Sequence, residues 1–133
     1  MIKKEVLKIA LNTDNYGSLK KYTHYSKKKN SMCGDEIQIF LKIYKNKIIK
    51  FNYKCEACVY CQASASLLSR KSNNKTVSEV KTFLGRISSI FNKDNVSFDK
   101  GWKDFEKIIN KKNFARKECL LLPIKTTLQA LNK

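Results

Sequence analysis

Long apolar stretches are missing from this sequence. No run of roughly 18 apolar residues occurs, so the chain contains no candidate for a membrane-spanning helix. Residues 1–5 begin an amphipathic pattern and lack the long apolar core and small-residue cleavage site of a signal peptide. We therefore expect a cytoplasmic protein with no membrane partner.

Acidic residues and arginines are also scarce. The chain has 11 Asp and Glu against 28 Lys and Arg, a formal net charge of +17, and only three of the basic residues are arginines. A charge this positive suits nucleic acid or an acidic protein partner. The lysines, however, are spread over nearly every segment, and recognition of phosphates and bases favours Arg. The composition therefore argues against nucleic acid and is at least as consistent with an acidic protein partner.

The cysteines cannot all be paired in disulfides, because there are five of them. Cys55, Cys58 and Cys61 lie within seven residues, whereas Cys33 and Cys119 are far away on either side. In a reducing cytosol, cysteines serve metal binding or thiol chemistry more readily than disulfides. The cysteines are therefore the first candidates for functional residues.

Two stretches, 37–44 and 48–54, alternate apolar and polar residues with the period of two that is typical of half-buried strands. The residues predicted to share one face of the second stretch are Ile49, Phe51 and Tyr53. Residues 45–47 form a short turn between them, which predicts an antiparallel hairpin. The basic segment 20–31 has room for an additional edge strand.

Helical spacing of apolar residues occurs elsewhere in the chain. The predicted helical segments are 2–11, 63–70, 77–91, 102–109 and a last one that reaches residue 131. Thr76 and Glu79 fit a capping box. Because Pro123 is expected only in the first turn of a helix, the last helix should begin close to Cys119. Residues 1–133 are thus predicted to form one α+β domain, with a small antiparallel sheet packed against several helices.

The hairpin brings two distant cysteines together. Cys33 precedes its first strand and Cys58 follows its second, and antiparallel pairing returns the chain to its starting edge. Asp35, two residues after Cys33, leans to the same side if the segment is extended. Cys58 and Cys119 each lie at a predicted helix start, where the helix dipole favours a thiolate. Three thiolates and a carboxylate suit tetrahedral Zn²⁺, and thiolates also suit iron–sulfur clusters.

Three motifs and one upstream element resemble those of a known family. The motifs are Cys33-Gly34-Asp35, Cys58-x-x-x-x-Ala63-Ser64-Ala65-Ser66 and Arg116-Lys117-Glu118-Cys119. In this order they look like the three cysteine motifs of the IscU/NifU/SufU iron–sulfur cluster assembly proteins. The upstream Asn12-x-x-Asn15-x-Gly17 is similar to the family's Asn-Pro-Arg-Asn-x-Gly element. The resemblance covers nearly the whole chain and implies an IscU/SufU-like fold.

Two details favour the SufU branch of this family. Cys58 and Cys119 are 61 positions apart, which leaves room for the extra helical segment that distinguishes SufU from IscU. IscU proteins carry a His directly before the last cysteine, where this chain has Glu118. By this resemblance, Cys33, Asp35, Cys58 and Cys119 bind Zn²⁺ or a transient [2Fe-2S] cluster, and Cys33 or Cys119 accepts persulfide sulfur.

The resemblance also implies partners. A cysteine desulfurase would deliver the sulfur, and recipient apo iron–sulfur proteins would accept the finished cluster. The implied role is that of a scaffold or a zinc-dependent sulfur carrier, and whether the protein also acts as a sulfurtransferase enzyme is left open.

Cys55 and Cys61 are not part of the family's cysteine triad, yet they flank Cys58 at intervals of three, which is itself a cluster-like spacing. One alternative is therefore a small electron-transfer or structural metal protein that uses these three cysteines and Cys119. Another is a basic nucleic-acid-binding module with a structural zinc. In the simplest interpretation, Cys55 and Cys61 are small buried hydrophobes, and Asp35 caps or turns the chain before the strand.

Overall fold

The alternating stretches form strands of one three-stranded sheet. The computed structural model describes residues 4–30, 34–90 and 97–133. The strands are β1 (His24–Lys29), β2 (Glu36–Tyr44) and β3 (Lys47–Glu56). They are antiparallel and lie in the order β1-β2-β3, so the predicted hairpin and the edge strand in the basic segment are both confirmed.

The hairpin has a tight turn and one bulge. Lys45 and Asn46 form the two-residue turn with positive φ angles of 48° and 66°, the backbone required by the turn type that matches the twist of the strands. Ile43 pairs with Ile48 after a register shift, which leaves Ile49 outside the pairing. The bulge turns Ile48 into the core at 0% exposure, whereas Ile49, predicted to share one face with Phe51 and Tyr53, is only partly buried.

The sheet has a buried inner face and an open outer face. The largest inner residues are Ile37, Ile39, Leu41, Phe51 and Tyr53, all at most 2% exposed. They pack against two helices, Val59–Ser72 and Lys117–Leu131. On the outer face, Phe40 is an apolar residue between the polar Gln38 and Lys42, and it is only 6% exposed. Tyr22 and Tyr25 cover it, with ring centroids 5.7 and 5.1 Å from its own.

Four α-helices and two 3₁₀ helices account for the helical part of the described residues. The α-helices are α1 (Lys4–Ala10), α2 (Val59–Ser72), α3 (Val77–Ile90) and α4 (Lys117–Leu131). The 3₁₀ helices, Lys103–Lys107 and Lys111–Arg116, occupy the interval between α3 and α4. Within the described ranges, no helix is long and apolar enough to cross a membrane. The α+β architecture predicted from the sequence is confirmed.

Helix α2 is longer than predicted and lies at the centre of the fold. It begins at Val59, four residues before the predicted start, and packs between α1 and α4. Its small residues let the neighbouring backbones approach closely. The Ser64 hydroxyl donates a hydrogen bond of 2.7 Å to the carbonyl of Leu120, and the Ser66 hydroxyl donates one of 2.6 Å to the carbonyl of Asn12.

Helix α3 begins with the predicted capping box. The backbone N–H of Glu79 donates to the Thr76 hydroxyl at 3.1 Å, and the N–H of Thr76 donates to the Glu79 carboxylate at 3.3 Å. Phe83 of this helix stacks on Trp102 at a centroid distance of 3.9 Å, which anchors the 3₁₀ segment against α3. The predicted helix end at residue 91 lies outside the described residues.

Helix α4 begins close to Cys119, as predicted, but not for the predicted reason. It starts at Lys117, so Cys119 is its third residue and Pro123 its seventh, in the second turn. The expectation that Pro123 lies in the first turn is therefore wrong. Pro123 has no N–H to donate to the Cys119 carbonyl, and the helix continues past this one missing bond because its apolar side is buried.

Candidate metal centre

Asp35 lies at the start of β2, in a connection whose ends are tied together. The N–H of Asn30 donates to the carbonyl of Asp35 at 2.7 Å, and the N–H of Gly34 donates to the carbonyl of Asn30 at 2.8 Å. Gly34 has a φ of +75°, a left-handed conformation that glycine adopts without strain. These hydrogen bonds hold Asp35 at the end of the hairpin, where the residue is 6% exposed.

Cys58 caps the start of α2. Its backbone is extended, with φ −67° and ψ 166°, and its carbonyl already accepts the N–H of Gln62 at 3.1 Å. Its own N–H donates to Oδ1 of Asp35 at 3.2 Å. The hairpin thus brings its two ends together through Asp35 and Cys58, and the positive end of the α2 dipole faces this point.

Cys119 reaches the same point from the start of α4. It is 6% exposed in the first turn of α4. The hydrogen bond from Ser64 to the carbonyl of Leu120 fastens this turn to α2. Both cysteines therefore lie in first turns or caps of helices that are fixed to each other.

Asp35, Cys58 and Cys119 form a compact group of potential metal ligands. One ligand atom from each residue lies within 4.8 Å of the other two, and no other group of three or more His, Cys, Asp or Glu side chains comes together in this way among the described residues. Oδ2 of Asp35 is buried and accepts no hydrogen bond from the described part of the chain. A buried carboxylate oxygen without a donor is costly, and a metal ion is one partner that relieves this cost.

Cys33, the fourth predicted ligand, lies outside the described residues. It precedes Asp35 by two positions. Its role as a ligand or persulfide acceptor stays a prediction.

Cys55 and Cys61 lie near this group but do not join it. Cys61 is 0% exposed inside the main core, and burial raises the pKa of its thiol well above the usual value. Cys55 is half-buried near the end of β3. Burial, together with the nearby Asp35 and Cys58, raises the pKa of Cys55 to about 11. The complete burial of Cys61 fits its interpretation as a small hydrophobic core residue.

Two other potential ligands, His24 and Glu118, are directed elsewhere. His24 is the first residue of β1, and its Nδ1 lies 2.8 Å from the hydroxyl of Thr23. Glu118 is exposed and forms an ion pair with Lys125 at 3.4 Å. Neither belongs to the group formed by Asp35, Cys58 and Cys119.

A cavity of about 430 Å³ opens beside Cys55 and was not anticipated from the sequence. Tyr16, Tyr53 and Gln62 contribute to its wall, and the Tyr16 hydroxyl donates to the carbonyl of Cys55 at 3.3 Å. The Asn12-x-x-Asn15-x-Gly17 element supplies Tyr16 at this place. The N–H of Gly17 donates to the carbonyl of Tyr53 at 2.8 Å, which explains the position of the element beside the centre.

Comparison with known proteins agrees with this geometry. The model of the NifU-like N terminal domain family matches residues 1–93. The iron-sulfur cluster assembly scaffold protein IscU of Thermotoga maritima is 32% identical over 119 residues, which are 88% of this chain and 82% of that protein. An uncharacterized protein of Borreliella burgdorferi is 34% identical over 133 residues, 97% of this chain and 88% of that protein.

Solved structures share the fold at lower identity. The N-terminal NifU-like protein of Brucella abortus has a TM-score of 0.86 and 18% identity, with 98% of this chain and 91% of that chain covered. The SUF-system scaffold protein FiSufU of Fervidobacterium islandicum AW-1 has a TM-score of 0.82 and 20% identity, with coverages of 98% and 96%. The resemblance inferred from the cysteine motifs is thus confirmed: this chain belongs to the NifU-like N-terminal domain family.

Proposed function

We propose that this protein is a scaffold for iron–sulfur cluster assembly that holds its cargo at Cys33, Asp35, Cys58 and Cys119. The observation that carries the proposal is the group formed by Asp35, Cys58 and Cys119 at one end of the hairpin, with a carboxylate oxygen that no described donor satisfies. The relative from Thermotoga maritima, named as a cluster assembly scaffold, supports the same function.

The donor set fits a metal ion. Two thiols and one carboxylate are in place, and Cys33, two residues from Asp35, is the natural fourth donor. Four donors of this type suit Zn²⁺ in a structural site, and cysteine thiolates suit the irons of a 2Fe–2S cluster. Bound zinc would stabilise the thiolate forms of the cysteines and shield them from other reactions. The cluster, by contrast, would be a product that leaves.

Sulfur would arrive as a persulfide from a cysteine desulfurase. A deprotonated acceptor thiol of this chain attacks the outer sulfur of the donor's persulfide. The sulfur–sulfur bond of the donor breaks, a new one forms on the acceptor, and the donor cysteine leaves as a thiolate. The candidate acceptors are Cys33 and Cys119. Because Cys119 is only 6% exposed, its use as an acceptor requires the centre to open.

Within the family, we assign the chain to the SufU branch. Glu118, exposed and paired with Lys125, stands where IscU proteins have a histidine. The interval between α3 and α4 holds two 3₁₀ helices, and the first of them, Lys103–Lys107, lies within the 102–109 segment that we interpret as the additional segment of that branch. The assignment implies a cytoplasmic protein that passes its cluster to apo iron–sulfur proteins, in a compartment where thiols stay reduced.

Metal content tests the ligand assignment. Wild type and the variants C33S, C58S, C119S, C55S and C61S are purified with and without oxygen, and zinc and iron are counted per chain. We expect the first three substitutions to abolish metal retention and the last two to preserve it. Full metal in C33S together with loss in C55S would overturn the assignment and favour a site built on the clustered cysteines.

Sulfur transfer is tested separately. A cysteine desulfurase is assayed with and without the protein, and persulfide on each cysteine is located by mass spectrometry after alkylation. We expect stimulation of the desulfurase and sulfur on Cys33 or Cys119. Absence of both would refute the sulfur-acceptor role while leaving the metal site intact.

A further inference from the structure

The outer face of the sheet carries an aromatic cluster surrounded by lysines. The strand pairing places the following side chains on this face: Tyr25, Lys27, Lys29, Glu36, Gln38, Phe40, Lys42, Lys50, Asn52, Lys54 and Glu56. Helices α2 and α4 pack on the opposite face. The outer face therefore plays no part in the main core.

Phe40 forms the centre of this face. It is 6% exposed but does not belong to the main hydrophobic core, because Tyr22 and Tyr25 bury it from outside. The Tyr25 hydroxyl donates to Oε1 of Gln38 at 3.3 Å, which fixes the ring. Tyr22 is 48% exposed. The cluster is thus a preformed apolar contact area, of the aromatic type that is enriched in protein interfaces.

The charges around the cluster are unbalanced. Lys27 pairs with Glu36 at 3.1 Å at the end of the face nearest Asp35. Lys42, Lys50 and Lys54 form no ion pair with any carboxylate in the part of the chain that the structure describes. The face therefore presents uncompensated positive charge beside its apolar centre.

Lys42 and Lys50 are direct cross-strand partners. Like charges opposite each other on a sheet destabilise the isolated strand pair. An acidic partner placed over the two ammonium groups would convert this repulsion into attraction. The arrangement is thus unfavourable in the isolated protein and favourable in a complex.

We propose that the outer face of the sheet, centred on Tyr22, Tyr25 and Phe40 and bordered by Lys42, Lys50 and Lys54, docks an acidic protein segment with an exposed apolar side chain. The carboxylates of that segment pair with the lysines, and its apolar residue packs against Tyr22. The interaction is independent of the proposed metal chemistry. Glu36 and Glu56 pair at the end of the face beside Asp35 and Cys58, whereas Lys42 and Lys50 pair near the hairpin turn, so the acidic segment docks toward the turn end of the sheet.

Single-stranded nucleic acid fits this face less well. Base stacking requires open ring faces, whereas the rings of Tyr25 and Phe40 pack against each other at 5.1 Å and Phe40 is buried. The face also carries no arginine, the residue best suited to phosphates and bases.

A labelled peptide of Asp and Glu with one central Phe serves as the probe. Its binding is followed by fluorescence anisotropy, and its position by amide NMR shifts. We expect amide shifts at Tyr25, Phe40 and Lys42. The K42E/K50E variant should bind the peptide about ten-fold more weakly than wild type.

The control K81E/K112E replaces exposed lysines on α3 and the second 3₁₀ helix and changes the net charge by the same amount. Its affinity should stay within about two-fold of wild type. Tyr22→Ala tests the apolar contact. It should lower the affinity for the Phe peptide more than the affinity for a peptide with Ser in place of Phe.

The single variant Lys42→Glu gives a second readout. It places opposite charges across the strand pair, so its urea midpoint should rise while its affinity for the peptide falls. Equal weakening in K42E/K50E and K81E/K112E, or peptide-induced shifts confined to other surfaces, would refute the proposal. If an oligothymidine of the same length bound this face more tightly than the acidic peptide, the proposal of an acidic protein partner would be refuted in favour of nucleic acid.

Discussion

Asp35 and Cys58 are joined by a hydrogen bond across the open end of the β2–β3 hairpin: the N–H of Cys58 donates to Oδ1 of Asp35 at 3.2 Å. This contact orients the carboxylate and leaves Oδ2 for another partner. Asp35 therefore has two separable roles. It accepts the N–H at the start of α2, and it offers an oxygen to the candidate metal centre.

Asp35→Asn and Asp35→Ala should separate the two roles. Asn keeps an acceptor for the Cys58 N–H but loses the charge, so zinc affinity should fall by about ten-fold or more with the apo fold retained. Ala also removes the acceptor, and apo D35A should be about 1 kcal/mol less stable than apo D35N. Zinc affinity comes from competition with a chromophoric chelator, and stability from urea unfolding.

The comparison between these two variants contains its own control, because both remove the charge. Wild-type zinc affinity in D35N would exclude Asp35 as a ligand. Equal stability of the two apo variants would mean that the hydrogen bond to Cys58 contributes nothing to the fold.

Cys61→Ala should affect stability and leave metal binding unchanged. The thiol is 0% exposed in the core, so its removal leaves a small cavity and should lower the free energy of unfolding by about 1–2 kcal/mol. Zinc affinity should stay within about two-fold of wild type, because Cys61 lies outside the ligand group. Loss of zinc from a folded C61A variant would instead support a centre built on the clustered cysteines.

Local patterns in the sequence predicted the hairpin and the approach of the residues on either side of it. Alternation in 37–44 and 48–54 is strong because one face is buried, and antiparallel pairing then brings the residues before and after the hairpin together. Asp35 and Cys58 are adjacent for this reason. The capping box at Thr76 was predictable because both of its hydrogen bonds are local in the sequence.

Other features depend on contacts between distant segments and could not be read from local pattern. Ile48 and Ile49 are chemically equivalent, so the alternation does not reveal the bulge that buries Ile48. Helix α2 starts at Val59, because contacts with α1 and α4 override the weak helix preference of its first residues. Pro123 is tolerated in the second turn of α4 for the same reason.

Thr76→Ala should destabilise the protein by about 1 kcal/mol, because the N–H of Glu79 loses its acceptor at the start of α3. The matched control is Thr82→Ala on the exposed side of the same helix, where Ala is the better helix former and stability should be unchanged or slightly higher. Thermal and urea unfolding of both variants measure the difference. Equal stability of T76A and T82A would show that the capping box contributes nothing measurable.

The pH dependence of stability should report the buried thiol of Cys55. Its pKa in the folded protein is about 11, raised first by burial and then by Asp35 and Cys58, against an ordinary value of 9.0. Between these values the unfolded chain releases the thiol proton and the folded chain retains it. The unfolded state then binds fewer protons, so the contribution of Cys55 to the free energy of unfolding of the metal-free protein should be constant below about pH 9 and fall as pH rises toward 11. In Cys55→Ser this fall should be smaller. Part of it should persist, because burial also raises the pKa of Cys61 and Tyr53.

Urea unfolding of wild type and C55S in a chelating buffer at several pH values measures how steeply the free energy of unfolding falls in each. The rate of Cys55 alkylation should rise with an apparent pKa near 11. Identical slopes for wild type and C55S, or alkylation of Cys55 with an apparent pKa near 9.0, would show that this thiol is solvated in the folded protein.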